Sequence, residues 1–153
     1  MFANVLIVCH ANVCRSPAAE MLFKANQRSA TGASGAVRTP IEFHSAGIRA
    51  LDGHGMDRVM QRLLAERGVT ADIHYSRRLT ARIVREADLI LVAERRQVRE
   101  VEALDPTSRG KVYPLGKWEG ADVSDPHGGT EAEYRESLGL IERLVRGWLE
   151  RIC

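Results

Sequence analysis

The sequence has little of what would place it in several large classes. Only Cys9, Cys14 and Cys153 are cysteines among 153 residues, too few and too oddly numbered for a disulfide scaffold. No apolar run reaches the length of a membrane span, so no membrane insertion is expected. Neither sign of charge dominates. Lysine and arginine number 22 against 20 acidic side chains, a net +2, without the basic excess or clustering of a nucleic-acid binder. No lysine or arginine precedes Leu6-Ile7-Val8-Cys9, that apolar run is short, and Val8 is not small. A secretory signal is therefore not expected, and the cytoplasm is the expected compartment. Internal repeats and low-complexity segments are also missing. What remains is globular composition, 44% hydrophobic and 27% charged, in a chain long enough to bury a core. Residues 1–153 read as a single domain.

Val5-Leu6-Ile7-Val8 is a continuous aliphatic run of the kind buried on both faces of a parallel sheet. Ser16-Pro17 has the pattern of an N-cap followed by proline at the first helical position, which predicts a helix from Ala18 to about Ala30. Gly32, Gly35 and Pro40 mark a loop. Ile41 to His44 reads as a second strand, ended by Ser45-Ala46-Gly47. Met56, Val59, Met60, Leu63 and Leu64 fall at helical spacing, with Gly68 as the stop. Thr80 caps a short helix to Ala87, and Leu89 to Val92 is a third buried strand. A helix from Glu94 to Leu104 ends at Asp105-Pro106, and Lys111 to Leu115 is a fourth strand. Tyr134, Leu138, Ile141, Val145, Trp148 and Ile152 form one apolar stripe on a C-terminal helix. Strands alternating with helices predict an α/β domain around a parallel sheet.

The chemistry concentrates where the first strand ends. Cys9-His10-Ala11-Asn12-Val13-Cys14-Arg15-Ser16 joins a strand's carboxyl end to a helix's amino end. Such a loop turns backbone N–H groups inward, and the helix dipole adds positive potential, which makes an anion cradle. A cysteine in that field beside an arginine is set up as a thiolate nucleophile. The guanidinium offers a planar fork for two oxygens of a phosphate. A nucleotide-binding P-loop is excluded, since no Lys-Ser or Lys-Thr follows a glycine-rich turn. Cleaving a phosphate ester also needs a proton for the leaving oxygen, and two Asp-Pro pairs are available. Ligand sites in parallel sheets lie at the strands' carboxyl ends. Asp105 follows a helix and precedes a strand, so it belongs to the opposite edge. Asp125 follows the fourth strand and can reach the cysteine loop.

The segment Cys9 to Ser16, with Pro17 and Glu20 behind it, resembles the low-molecular-weight protein tyrosine phosphatase family. The resemblance continues through Ser45-Ala46-Gly47, His74 with Arg77 and Thr80, and Asp125-Pro126, in the expected order over nearly the whole chain. It implies a three-layer α/β fold: a central four-stranded parallel sheet, helices on both faces, and the phosphate loop between the first strand and first helix. It implies hydrolysis of protein phosphotyrosine through a phosphocysteine on Cys9. In that reading Arg15 holds the phosphoryl group and Asp125 acts as general acid. His10, Ala11, Asn12, Val13 and Cys14 surround the substrate phosphate, with Leu51 and His127 as walls of the slot. Ser16, Asn12, Ser45 and His74 form a supporting polar network, and Ser16 hydrogen-bonds the Cys9 sulfur. No cofactor is implied, and His10, His44 and His54 show no metal-site spacing; His10 is placed to face the pocket mouth.

Two departures from the family pattern stand out. Ala11 occupies a position where the family usually has glycine, and strain follows there if positive φ is required. His127 stands where an aromatic ring usually follows Asp-Pro, and an imidazole stacks less well on a phenyl ring. Leu51 is equally readable as an ordinary loop residue. Cys14 has two readings, a small packing residue or a partner for a reversible disulfide with Cys9. The stretch from Arg77 to Arg99 reads as solvated helix surface, interrupted by Glu86, Asp88, Glu94 and Glu100. Leu115-Gly116-Lys117-Trp118 resembles the bacterial branch, which implies as partner a tyrosine autokinase of exopolysaccharide or capsule production. The alternatives are an arsenate reductase on the same scaffold, which normally needs two further cysteines near residues 75–95, and a non-hydrolytic phosphocysteine carrier. A phosphoarginine phosphatase usually has threonine where this chain has Val13.

Overall fold

Four strands, β1 (Asn4–Cys9), β2 (Glu42–Gly47), β3 (Leu89–Val92) and β4 (Val112–Pro114), form one parallel sheet in the order β2-β1-β3-β4. The computed structural model describes residues 2–34, 39–70 and 73–153. The helices are α1 (Arg15–Ser34), α2 (Arg58–Glu66), α3 (Ala81–Glu86), α4 (Gln97–Leu104) and α5 (Glu131–Ile152).

The two-residue period of the strands sorts the core into two halves. Val5, Ile7, Leu89 and Leu91 point to the side that holds Phe23 of α1, Leu63 of α2 and Leu138 of α5. Leu6, Val8, Ile90 and Val92 point to the other side, with Val84 of α3 and Val101 of α4. Both faces of the sheet are covered, which is why β1 and β3 read as unbroken apolar runs. The expected three layers are present. Phe23 and Phe43 stack with centroids 4.7 Å apart and lock α1 onto β2.

The ends of α1 and β2 differ from the expected ones for physical reasons. α1 begins at Arg15, and the Cys14 carbonyl accepts the first bond, from the Ala18 N–H. Ser16 therefore lies inside the first turn and is not the cap, because its hydroxyl is used elsewhere. Pro17 is tolerated there because first-turn N–H groups have no helical acceptor anyway. α1 also runs through Gly32 to Ser34, since one glycine weakens a helix by about 1 kcal/mol without ending it; Gly35, expected in the loop, lies outside the described residues. Ser45-Ala46-Gly47 extends β2 instead of ending it.

The order β2-β1-β3-β4 puts a switch point between β1 and β3. The chain leaves β1 toward one face and β3 toward the other, so a crevice opens at their carboxyl ends. Cys9 closes β1 at that crevice, and Glu94 lies just beyond β3. Asp105 sits at the far edge, where it caps a 3-10 turn by accepting from the Thr107 N–H and hydroxyl.

Candidate active site

Asn12 organises the loop after β1. It is the only non-glycine at positive φ among the described residues, at 57°, a conformation asparagine tolerates better than most side chains. Ala11 is not in that region, so no backbone strain attaches to the alanine. All four polar groups of Asn12 are used. Its N–H donates to Cys9 Sγ at 3.3 Å, and its Nδ2 to Ser16 Oγ at 2.9 Å. Its Oδ1 accepts the Arg77 N–H at 3.0 Å, and its carbonyl accepts His74 Nε2 at 2.7 Å. Ser16 Oγ lies 2.9 Å from Cys9 Sγ. Since Ser16 already accepts from Asn12, its own proton is free for the sulfur. Two donors thus face Sγ.

Ser45 belongs to an adjoining group. Its hydroxyl donates to Glu20 Oε1 at 2.6 Å, and its carbonyl accepts Arg77 Nε at 3.0 Å. Arg77 is therefore a brace under the loop and not the solvated residue expected of it. Gly47 pairs with Cys9 across the sheet, and a Cβ on it would lie 2.8 Å from Asn12 N, His10 O and Ala50 Cβ. Gly47→Ala is expected to lower stability by about 2 kcal/mol and to displace the phosphate loop. Thermal unfolding beside aryl phosphate turnover checks both effects.

Arg15 is 3% exposed. Its Nη1 donates to Glu94 Oε1 at 2.6 Å and to the Val123 carbonyl at 2.8 Å, while Nη2 lies 3.9 Å from Asp125 Oδ2. Glu94 was expected on solvated helix surface. It is instead a half-buried anchor, because α4 starts only at Gln97 and leaves Glu94 in the turn beside the crevice. Burial raises its pKa, but hydrogen bonds from Arg96 and Arg15 outweigh this and hold it below the ordinary glutamate value. An ionised Glu94 fixes one side of the guanidinium and leaves the rest for a ligand.

Cys9, Ala11, Val13, Cys14, Arg15, Asp125 and His127 line one cavity of about 100 Å³. A larger hollow of about 440 Å³ beside Trp118 is lined by no thiol, hydroxyl or imidazole. The thiol, the guanidinium and the Asp-Pro carboxylate, which the sequence places 116 residues apart at the extremes (125 − 9), meet in the small cavity. His10 is exposed and outside this lining, as is Leu51, which is 68% exposed. Cys14 is a free, buried thiol packed in the core beneath the loop. It lines the same cavity as Cys9, and burial, followed by the charges of Asp57 and Asp125, pushes its pKa far up.

The family model for low molecular weight phosphotyrosine protein phosphatase matches residues 4–153. The chain belongs to that family. The phosphatase is 34% identical over 151 residues to the low molecular weight protein-tyrosine-phosphatase Ptp of Acinetobacter johnsonii, with 99% of each chain covered. Its fold superposes on the tyrosine phosphatase amsI of Erwinia amylovora with a TM-score of 0.88, at 30% identity over 99% of this chain and 93% of the other. The YwlE arginine phosphatase of Geobacillus stearothermophilus shares the scaffold with a TM-score of 0.85, at 25% identity over 98% and 92%.

Asp57 sits beside the site without a sequence signal for that place. Asp57 is the N-cap of α2, and its Oδ1 accepts the N–H groups of Val59 and Met60. Its Oδ2 takes His127 Nδ1 at 2.9 Å and the Tyr134 hydroxyl at 2.7 Å. Burial raises the Asp57 pKa, but the bonds from His127, Tyr134, Met60 and Val59 outweigh it and hold it below the ordinary aspartate value. The only sequence signal was an aspartate one residue ahead of a helix, which reads as a cap and nothing more.

Proposed function

We propose that this protein hydrolyses protein phosphotyrosine in two steps, with residues 1–153 as a single catalytic domain. The observation that carries the reading is the shared cavity of Cys9, Arg15 and Asp125 at the end of β1. Cys9 attacks phosphorus in line, and the phosphorus–oxygen bond to the phenol breaks as the phosphorus–sulfur bond forms. Arg15 and the amides of residues 10–14 stabilise the charge on the equatorial oxygens. Asp125 gives its proton to the leaving phenolate. A water then attacks the phosphocysteine, with Asp125 now taking its proton, and Cys9 leaves as a thiolate helped by Ser16.

Val13 half-buried in the cavity wall supports phosphotyrosine over phosphoarginine. A carrier would have no use for Arg15 together with Asp125. The arsenate relay lacks its cysteines between residues 75 and 95. The Leu115–Trp118 segment supports a bacterial tyrosine autokinase of exopolysaccharide or capsule production as the phosphotyrosyl partner. No described helix is long and apolar enough to cross a membrane.

Turnover of a phenyl phosphate ester by reduced protein without added metal tests the reading. Asp125→Ala should lower kcat about 10²-fold or more, with a loss that grows as the leaving phenol becomes more basic. A loss independent of the leaving group would remove Asp125 from the acid role.

A further inference from the structure

The two sides of the slot are joined through one residue. The Asp57 N–H donates to the carbonyl of Val13, on the phosphate loop, at 2.8 Å. The Asp57 side chain holds His127, on the acid loop, and both Val13 and His127 line the cavity of Cys9. The hydrogen-bond chain also decides the tautomer. Gly128 N–H donates to Tyr134 Oη at 3.3 Å, and Tyr134 donates onward to Asp57 Oδ2. The Asp57 carboxylate, 5% exposed, accepts at both oxygens. His127 must therefore donate through Nδ1. The His127 backbone N–H also donates to Asp125 Oδ1 at 3.1 Å, which ties the residue carrying the ring to the acid.

We propose that Asp57 is a positioning residue that sets the width of the slot and fixes the imidazole of His127 as its wall, and so determines which phosphate esters fit. The inference rests on the phosphatase reading above. A flat aromatic ester fits between Val13 and a fixed ring, whereas a flexible alkyl phosphate gains nothing from a fixed wall. Asp57 touches no reacting atom and acts through His127.

Asp57→Asn separates this role from capping, because asparagine caps a helix as well as aspartate does while its amide loses the double acceptor at Oδ2. With an aryl phosphate, KM should rise about tenfold while kcat changes by no more than about twofold. The preference for aryl over alkyl phosphate in kcat/KM should fall by a similar factor. Asp57→Asn/His127→Ala should be no worse in KM than His127→Ala, since the two act as one unit. Effects that multiply in the double variant, or an unchanged KM, would overturn the proposal. If Asp57→Asn does not fold, Tyr134→Phe carries the test, with KM raised about threefold and the unfolding temperature retained; an unchanged KM again counts against it. Nitrogen-15 NMR of the free enzyme should find the His127 proton on Nδ1, and an Nε2–H tautomer would sink the clamp. Benzylphosphonate binding, weakened about tenfold by Asp57→Asn, needs no turnover. A wild type that binds it but hydrolyses nothing would refute the phosphatase reading and leave the clamp standing.

Discussion

Cys9→Ser is expected to lower aryl phosphate turnover by about 10⁴-fold or more while leaving phosphonate binding within about twofold. The surroundings of the sulfur explain the asymmetry. Asn12 N–H and the Ser16 hydroxyl both aim protons at Sγ, an arrangement suited to an atom that arrives already deprotonated. A serine hydroxyl needs a base to take its proton. The nearby candidate, Asp125, is turned toward Arg15 and receives the His127 N–H, and in the first step it must itself be protonated. Arg15, the loop amides and the His127 wall are untouched by the substitution, so the oxyanion cradle persists.

Acid quenching of the wild type during turnover should trap phosphate on the chain, and Cys9→Ser should trap none. Activity within tenfold of wild type in Cys9→Ser would mean that the thiol is not the nucleophile. Label retained on a wild type that releases no phosphate would favour the carrier. Cys14 lines the same cavity, so the acid-quench experiment is repeated on Cys14→Ala, which should still trap phosphate.

What was legible in the sequence was what is local or follows from the sheet's geometry. The run from Cys9 to Ser16 is contiguous, and its strand-to-helix placement can be read from Val5–Val8 and Pro17. Asp125 could be preferred to Asp105 because parallel strands put their carboxyl ends on one edge. The residues that went unread are tied to the site by contacts between distant parts of the chain. Glu94 meets Arg15 across 79 positions, and Asp57 meets His127 and Tyr134 across 70 and 77. A glutamate near arginines and an aspartate before a helix both have ordinary surface explanations, and nothing in their immediate neighbours overrides them. Ser16 shows the reverse. Ser-Pro is good capping chemistry, yet tertiary demand for its hydroxyl, between Cys9 and Asn12, moved the helix start back to Arg15.

Arg15→Lys should be the second most damaging change, lowering kcat about 10²- to 10³-fold in a protein that still folds. Charge is kept, so the half-buried Glu94 retains a cation, and the large penalty of an unpaired buried partner is avoided. What is lost is the fork. An ammonium is a point donor on a shorter reach and cannot hold Glu94 Oε1 and the Val123 carbonyl while offering parallel N–H groups to a phosphoryl group. The Val123 bond matters twice, because Val123 lies two residues before Asp125 and tethers the acid loop to the first turn of α1. Both charge stabilisation and placement of the acid should therefore suffer. The loss should exceed that of Glu94→Gln, which leaves the fork intact and loosens only its orientation, at about tenfold. Comparison of kcat and KM for the three proteins, with circular dichroism to confirm the fold, checks this ranking. If Arg15→Lys proved as mild as Glu94→Gln, the guanidinium would be serving the fold of the acid loop, and stabilisation of the phosphoryl charge would have to come from the loop amides alone.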